Sequence, residues 1–255
     1  MILIQDPQAS ATGALCRREA EMIFAVIMAG GSGTRMGGEL PKQFLPLCGK
    51  PVVIYTLEKF LKCGKIDEYY IGINPGWKEL MEELIAEHVP DSAKKIHIVC
   101  GGGDRNATLY NVIKAIEADF GVSKEHYIIT HDAVRPFVTQ QMIEENIELV
   151  KISGAVDTVV PAKDTIIESE DGATVSAIPD RKRMYQSQTP QSFNLSLLKE
   201  TYLSLSEDEK AVLTDACRIC VMRNIPVTLA KGSDMNIKIT TPGDLIIAQA
   251  IAEEA

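Results

Sequence analysis

The residues best able to do chemistry form a glycine-rich run, Gly30-Gly31-Ser32-Gly33-Thr34-Arg35-Met36-Gly37, with Lys42 following behind Pro41. Glycines let backbone N–H groups approach phosphate oxygens without steric cost. Two cations, Arg35 and Lys42, suit chemistry at a phosphate, where charge spreads over several oxygens in the transition state. Two familiar phosphate loops fail by counting. A dinucleotide fingerprint begun at Gly31 finds Gly33 but meets Met36 where its third glycine belongs. A P-loop begun at Gly33 reaches Gly38, then continues Glu39-Leu40 where Lys and Ser or Thr are required. A plain strand-to-helix turn would need neither the repeated glycines nor the arginine.

Such a loop needs a frame that gathers strand ends. Ile23–Ala29 is a continuous apolar run, the pattern of a strand buried on both faces. Pro51 stands at a first helical position, with Ile54, Leu57 and Leu61 at helical spacing behind it. Tyr69–Ile73, Ile96–Cys100 and Tyr127–Thr130 read as further strands, separated by helical stripes through Trp77–His88 and Leu109–Ile116. This order predicts an α/β fold, a Rossmann-like and mostly parallel sheet with helices on both faces. Ligands bind such sheets at the carboxyl ends of the strands. The loops Gly30–Pro41, Gly101–Thr108 and His131–Pro136 all fall there.

The second half breaks the rhythm. Thr165–Ser169 and Thr174–Ile178 flank Glu170-Asp171-Gly172, a hairpin signal. A two-stranded hairpin is marginal alone, so this inserted β-arm, at about 164–191, is expected to pack on another subunit. Residues 207–223 and 241–254 read as helices around a strand at Val227–Lys231. One domain is expected over 22–255, with 1–21 a leader of unknown role ahead of Met22.

Composition narrows the function classes. With 26 Lys plus Arg against 35 Asp plus Glu, the net charge of -9 argues against a broad nucleic-acid-binding face. An anionic substrate must then be held by a few placed cations. The apolar runs fall far short of the ~20 residues that cross a bilayer. Among six cysteines only Cys217 and Cys220 form a C-x-x-C, and no second pair completes a zinc site. Core packing on one helix face and a reducing, cytoplasmic compartment are the expectations.

The motifs A-G-G-S-G-T-R-M with P-K-Q-F, G-G-G-D-R-N-A-T, H-D-A-V-R-P, D-R-K-R-M-Y-Q-S-Q-T-P-Q and N-I-K-I-T occur in that order from Met22 onward. Together they resemble nucleotidyltransferases that activate sugar or polyol phosphates. More narrowly, they resemble the cytidylyltransferases acting on methylerythritol phosphate or ribitol 5-phosphate. The resemblance implies the nucleotide-diphospho-sugar transferase type of fold and Mg²⁺ as cofactor. It implies that an acceptor phosphate attacks the α-phosphorus of CTP, giving a CDP-polyol and pyrophosphate. Arg35 and Lys42 would be catalytic, stabilising the transition state. Met28, Ala29, Gly30, Gly31, Gly33, Thr34, Gly102, Gly103, Asp104, Arg105, Asn106, Thr108 and Ala133 would bind CTP. Arg135, Thr165, Thr189, Thr214 and Lys238 would face the acceptor, and Arg181 would reach the acceptor phosphate from the partner's arm in a homodimer. Arginine suits that task because guanidinium pairs phosphate in bidentate fashion.

Asp132 is the carboxylate best placed to hold the magnesium–triphosphate or a substrate hydroxyl, since Mg²⁺ usually takes one or two carboxylates plus phosphates. His131 invites a general-base reading, but a phosphate nucleophile is already an anion, so a structural role is expected. Methylerythritol enzymes typically show H-D-A-A-R-P and T-D-E-A or T-D-D-A. Here Val134 and Ala216 depart from those patterns, and Gln186–Gln191 looks like the ribitol branch. Ribitol 5-phosphate is therefore the expected acceptor, its product feeding polyribitol-phosphate polymers such as wall teichoic acid. A nicotinamide-dependent oxidoreductase would share the architecture but leave Lys42 without a role. A non-catalytic nucleotide-binding regulator would not need Arg35, Lys42, Arg181 and Lys238 together.

Overall fold

The computed structural model describes residues 21–31 and 40–254. The leader (Glu21 apart) and the loop residues Gly33, Thr34 and Arg35 lie outside the described residues. The first half alternates as the apolar runs predict: β1 (Met22–Ala29), a short hairpin of β2 (Pro46–Leu47) and β3 (Lys50–Pro51), α1 (Val52–Leu61), β4 (Glu68–Ile73), α2 (Lys78–His88), β5 (Ile96–Cys100), α3 (Arg105–Phe120), β6 (His126–Asp132) and α4 (Gln140–Ser153). Then come β7 (Ala155–Pro161), β8 (Tyr185–Asn194), α5 (Leu195–Leu203), α6 (Glu207–Ala211), α7 (Ala216–Val221), β9 (Thr228–Lys231) and α8 (Pro242–Glu254).

One seven-stranded sheet results, in the order β5-β4-β1-β6-β8-β7-β9. Within it β8 alone runs antiparallel to its neighbours. The mostly parallel α/β sheet read from the sequence is thus the observed architecture. Alternate side chains of β1 feed opposite cores. Ile23, Ala25 and Ile27 pack with Ile54, Leu57 and Phe60 of α1, Met81 of α2 and Ile143 and Ile147 of α4. Phe24, Val26 and Met28 pack with Leu109, Val112 and Ile116 of α3 and Cys217 and Cys220 of α7. Each large apolar side chain so buried contributes about 1.5–3 kcal/mol, which is why a polar-free run was needed at this central strand. Burial pushes the Cys217 thiol up, and Cys220 up to about 11, so both behave as apolar packing groups.

Register delivers the site. Ala29 lies opposite Ile73, Met28 opposite Asp132, and Ile73 opposite Cys100. The four parallel strands therefore end level, and the loops that follow them emerge side by side.

The arm is shorter than the 164–191 expected. Tyr185–Asn194 is instead a strand of the central sheet, pairing with β6 and β7, so the excursion covers 162–184. Its hairpin closes through a single bridge, Glu168 to Ala177. Asp171 Oδ1 fixes the tip by accepting from the N–H groups of Ala173 and Thr174, both at 2.8 Å, and Gly172 takes the left-handed φ of 71° that the turn demands. Between Asp157 and Val159 the β7–β8 register shifts, because β8 bulges through Gln188–Pro190. Bulges of this kind re-aim side chains beside functional sites. Among the described residues, no helix is long and apolar enough to cross a membrane.

Candidate active site

The level strand ends enclose a cleft of about 430 Å³. Met28, Ala29, Gly30, Gly31, Lys42, Gly102, Gly103, Asp104, Arg105, Thr108, Asp132, Ala133 and Lys238 all line it, together with Gln43, Asn74 and Val134. Side chains from three loops and a distant C-terminal segment thus converge on one space.

Lys42 opens a single 3-10 turn, Lys42–Phe44, entered from Pro41. The next residue anchors that turn. Gln43 is 2% exposed and its Nε2 donates to the carbonyls of Ala29 at 2.7 Å and Gly31 at 3.1 Å. One amide thereby ties the Lys42 turn to the end of β1 and the start of the glycine loop.

On the opposite wall, Thr108 organises the β5–α3 turn. Its hydroxyl accepts from Gly102 N at 3.0 Å and donates to the Asp104 carbonyl at 2.8 Å. A Cβ on Gly101 would meet that oxygen at 2.8 Å, and one on Gly102 would meet the Ala107 Cβ at 2.6 Å, so glycine is required for the close approach. Asp104, expected to bind CTP, caps α3, its Oδ1 accepting from Ala107 N at 2.8 Å, and also lines the cleft.

The floor is electrostatic. Lys238 Nζ stands 2.8 Å from Asp132 Oδ2, Arg105 Nη2 is 3.3 Å from Oδ1, and Arg135 Nε is 3.7 Å from Oδ2. Burial works against the ionised carboxyl, but the three cations, Arg105 foremost, outweigh it and hold Asp132 well below the usual carboxylate range. Asp132 N donates to Thr189 Oγ1 at 3.1 Å, so the β8 bulge reaches into the same cluster. Both oxygens of Asp132 are matched by cations, Asp104 Oδ1 is committed to its cap, and no three His, Cys, Asp or Glu among the described residues are grouped to hold a metal ion. The metal-ligand role expected of Asp132 fits this arrangement poorly; a counter-ion fits it well.

His131 is fully buried, packs on the Phe60 ring at 5.0 Å and donates from Nε2 to the Arg135 carbonyl at 3.0 Å. Burial pulls its pKa down to about 4. A neutral imidazole committed to a backbone carbonyl orients the loop that carries Asp132 and Arg135, the structural role its position suggested.

Other expected residues lie around the cleft. Asn106 is buried in the first turn of α3, and Arg135 lies behind Asp132, donating from Nη1 to the Asn236 carbonyl at 2.8 Å. Thr165 is exposed on the arm, where Arg181 Nη1 donates to the Lys163 carbonyl at 2.8 Å. Thr214 is exposed ahead of α7, whose cap is Asp215. The structure does not bring these three into the cleft wall formed by their own chain. Sequence reasoning passed over Gln43, Asn74, Gln188 and Asn236. The first lay inside the P-K-Q-F motif and the last inside N-I-K-I-T, so motif membership was the available signal.

The family model described as IspD, 2-C-methyl-D-erythritol 4-phosphate cytidylyltransferase, matches residues 23–254. Among solved structures, 4-diphosphocytidyl-2C-methyl-D-erythritol synthase from Anaerococcus prevotii is 26% identical, with a TM-score of 0.76 over 91% of this chain and 96% of that one. The 2-C-methyl-D-erythritol 4-phosphate cytidylyltransferase of Francisella tularensis is 27% identical, with a TM-score of 0.74 over 90% and 99% of the two chains. The enzyme of that name from Thermus thermophilus is 26% identical, with a TM-score of 0.70 over 91% and 99%.

Proposed function

The chain belongs to the IspD family of cytidylyltransferases, and from that premise we propose that it transfers the cytidylyl group of CTP to D-ribitol 5-phosphate, giving CDP-ribitol and pyrophosphate. An oxygen of the acceptor phosphate attacks the α-phosphorus of CTP, the bond from that phosphorus to the β-phosphate bridging oxygen breaks, and pyrophosphate leaves with its electron pair. Lys42, with Arg35, stabilises the charge that develops, since fixed cations need no reorganisation as the reaction proceeds. The phosphate nucleophile arrives as an anion, so no base is required, and neutral His131 is not asked to be one. The glycine turns at Gly30–Gly31 and Gly101–Gly103 present backbone to the nucleotide, and Lys238 and Arg135 take the acceptor side. Mg²⁺ supplies charge neutralisation when bound.

The observation that carries the transfer chemistry is the convergence of Lys42, Arg105 and Lys238 with two glycine turns in one cleft. The acceptor is argued from Val134, which lines that cleft beside Ala133. A valine fills volume that the alanine of methylerythritol-type motifs leaves free, and a linear pentitol has no methyl branch to place there. The second reading, 2-C-methyl-D-erythritol 4-phosphate, is favoured by the names of the family model and of the similar solved structures. We propose further that the chain works as a homodimer. The arm exposes Ile167, Val175 and Ile178, and a partner seated there would cover them and bring Arg181 to the neighbouring cleft.

Pyrophosphate release with CTP and Mg²⁺, run in parallel on the two acceptors, tests the reading. A ribitol preference of about 100-fold in kcat/KM, about 2.7 kcal/mol of transition-state discrimination, is expected. The reverse preference would replace the acceptor and keep the mechanism. Silence with both would overturn the assignment of polyol phosphates as acceptors.

A further inference from the structure

The segment that carries Lys238 is held by one fully buried side chain, Asn236. Its Nδ2 donates to the Thr189 carbonyl at 2.9 Å and to Gln188 Oε1 at 3.3 Å. Its own carbonyl accepts from Arg135 Nη1 at 2.8 Å, and its N–H donates to the Ser233 carbonyl at 3.0 Å. One residue therefore joins three distant pieces of chain: the β8 bulge, the loop after β6 and the loop leading to Lys238. All three meet again at Asp132, through the Thr189 hydroxyl, the Arg135 guanidinium and the Lys238 ammonium.

The residue type follows from its surroundings. The side chain faces two oxygen acceptors, so it must donate, and an aspartate would set a carboxylate against both. Lysine is a compact charge on a flexible stem and does not place itself. Lys238 is 41% exposed along its side chain, and its position depends on where its loop is pinned. The nucleotide side has separate anchors, Gln43 and Thr108, neither of which bonds to Asn236.

We infer that Asn236 is a positioning residue for the acceptor half of the reaction: it holds Arg135 and the Lys238 loop in fixed relation to Asp132, and so sets the pair of cations that receives a phosphate-bearing acceptor. This rests on the cytidylyltransferase reading of the cleft. The test is Asn236→Ala in the full chain, with pyrophosphate release measured while CTP and the polyol phosphate are varied separately, alongside thermal unfolding. Acceptor KM is expected to rise about tenfold or more while CTP KM stays within about twofold, because the lost donor takes away the bond to the Thr189 carbonyl and leaves Gln188 Oε1 with only the Ser233 N–H, both on the acceptor side. If the alanine variant does not fold, Asn236→Asp, which keeps the size and removes the donor, carries the same comparison. Equal rises in both KM values, or a loss that merely tracks the folded fraction, would overturn the inference alone. A wild type inactive with both polyol phosphates would overturn the functional reading and this inference together.

Discussion

Replacing Asp132 by Asn removes one negative charge and almost no volume, leaving Arg105, Arg135 and Lys238 facing one another. Their distances to the carboxylate, 3.3, 3.7 and 2.8 Å, give gross Coulomb terms of about 4–6 kcal/mol each at an effective dielectric near 20. Desolvation offsets most of that, and Lys238 at 41% side-chain exposure is further screened. The Arg135 side chain, at 11%, is not, and it is the charge left stranded. Removing one partner from a buried ion cluster costs about 3–5 kcal/mol. For a chain of this size each kcal/mol moves Tm by about 2–4 °C, so a fall of roughly 6–20 °C is expected at pH 7. Thermal unfolding of Asp132→Asn, Lys238→Met and the double variant measures it. The cycle should be strongly non-additive, because the second change relieves repulsion that the first created. A single-variant cost under about 1 kcal/mol, or additivity within about 0.5 kcal/mol, would refute the view that this carboxylate organises the cations.

Lys42→Ala should lower turnover by about 10²–10³ without changing Tm appreciably, and near-normal kcat would remove Lys42 from the chemistry. His131 is held neutral, its folded pKa lying below the unfolded value, so its stabilisation is complete above pH 6.5 and is lost as pH falls toward 4. At pH 4.5 that loss is about 2–3 kcal/mol, readable as extra slope in urea unfolding between pH 7 and 4.5 that His131→Asn abolishes; an unchanged slope in the variant would deny the burial effect. Val134→Ala should shift the ratio of kcat/KM toward the methyl-branched acceptor by roughly tenfold or more, in keeping with the worth of a methyl group in an apolar contact. An unmoved ratio would show that Val134 does not read the acceptor.

Where burial was satisfied by apolar side chains, the sequence was easy to read: β1, β4, β5 and β6 are rich in Ile, Val, Phe and Tyr, and the glycines that follow β1 and β5 mark two loops of the cleft. β8 was hidden because Tyr-Gln-Ser-Gln-Thr-Pro-Gln-Ser-Phe-Asn shows neither an apolar run nor a clean alternation, yet it lies inside the sheet. Its burial is made tolerable by partners that no periodicity reveals. Ser192 Oγ donates to Asn146 Oδ1 at 2.8 Å, Asn146 Nδ2 donates to Thr158 Oγ1 at 2.8 Å, and Thr158 Oγ1 donates to the Pro190 carbonyl at 2.6 Å. A buried polar network of this kind specifies one register when every member is paired. Lys42, Lys238 and Asp132 were legible as types in motifs. The ion pair of Asp132 with Lys238 was not, because it joins two segments about a hundred residues apart in the chain.

The arm leaves the sheet at Pro161 and returns at Tyr185, and these two residues are cross-strand partners. An excursion whose roots already touch is a self-contained module: its ends are fixed by the sheet, whatever lies between them. Lengthening it costs only about 0.6 kcal/mol per doubling in closure entropy, and its exposed side chains carry none of the core. The arm can therefore diverge in length and sequence while the strand ends that enclose the cleft stay untouched.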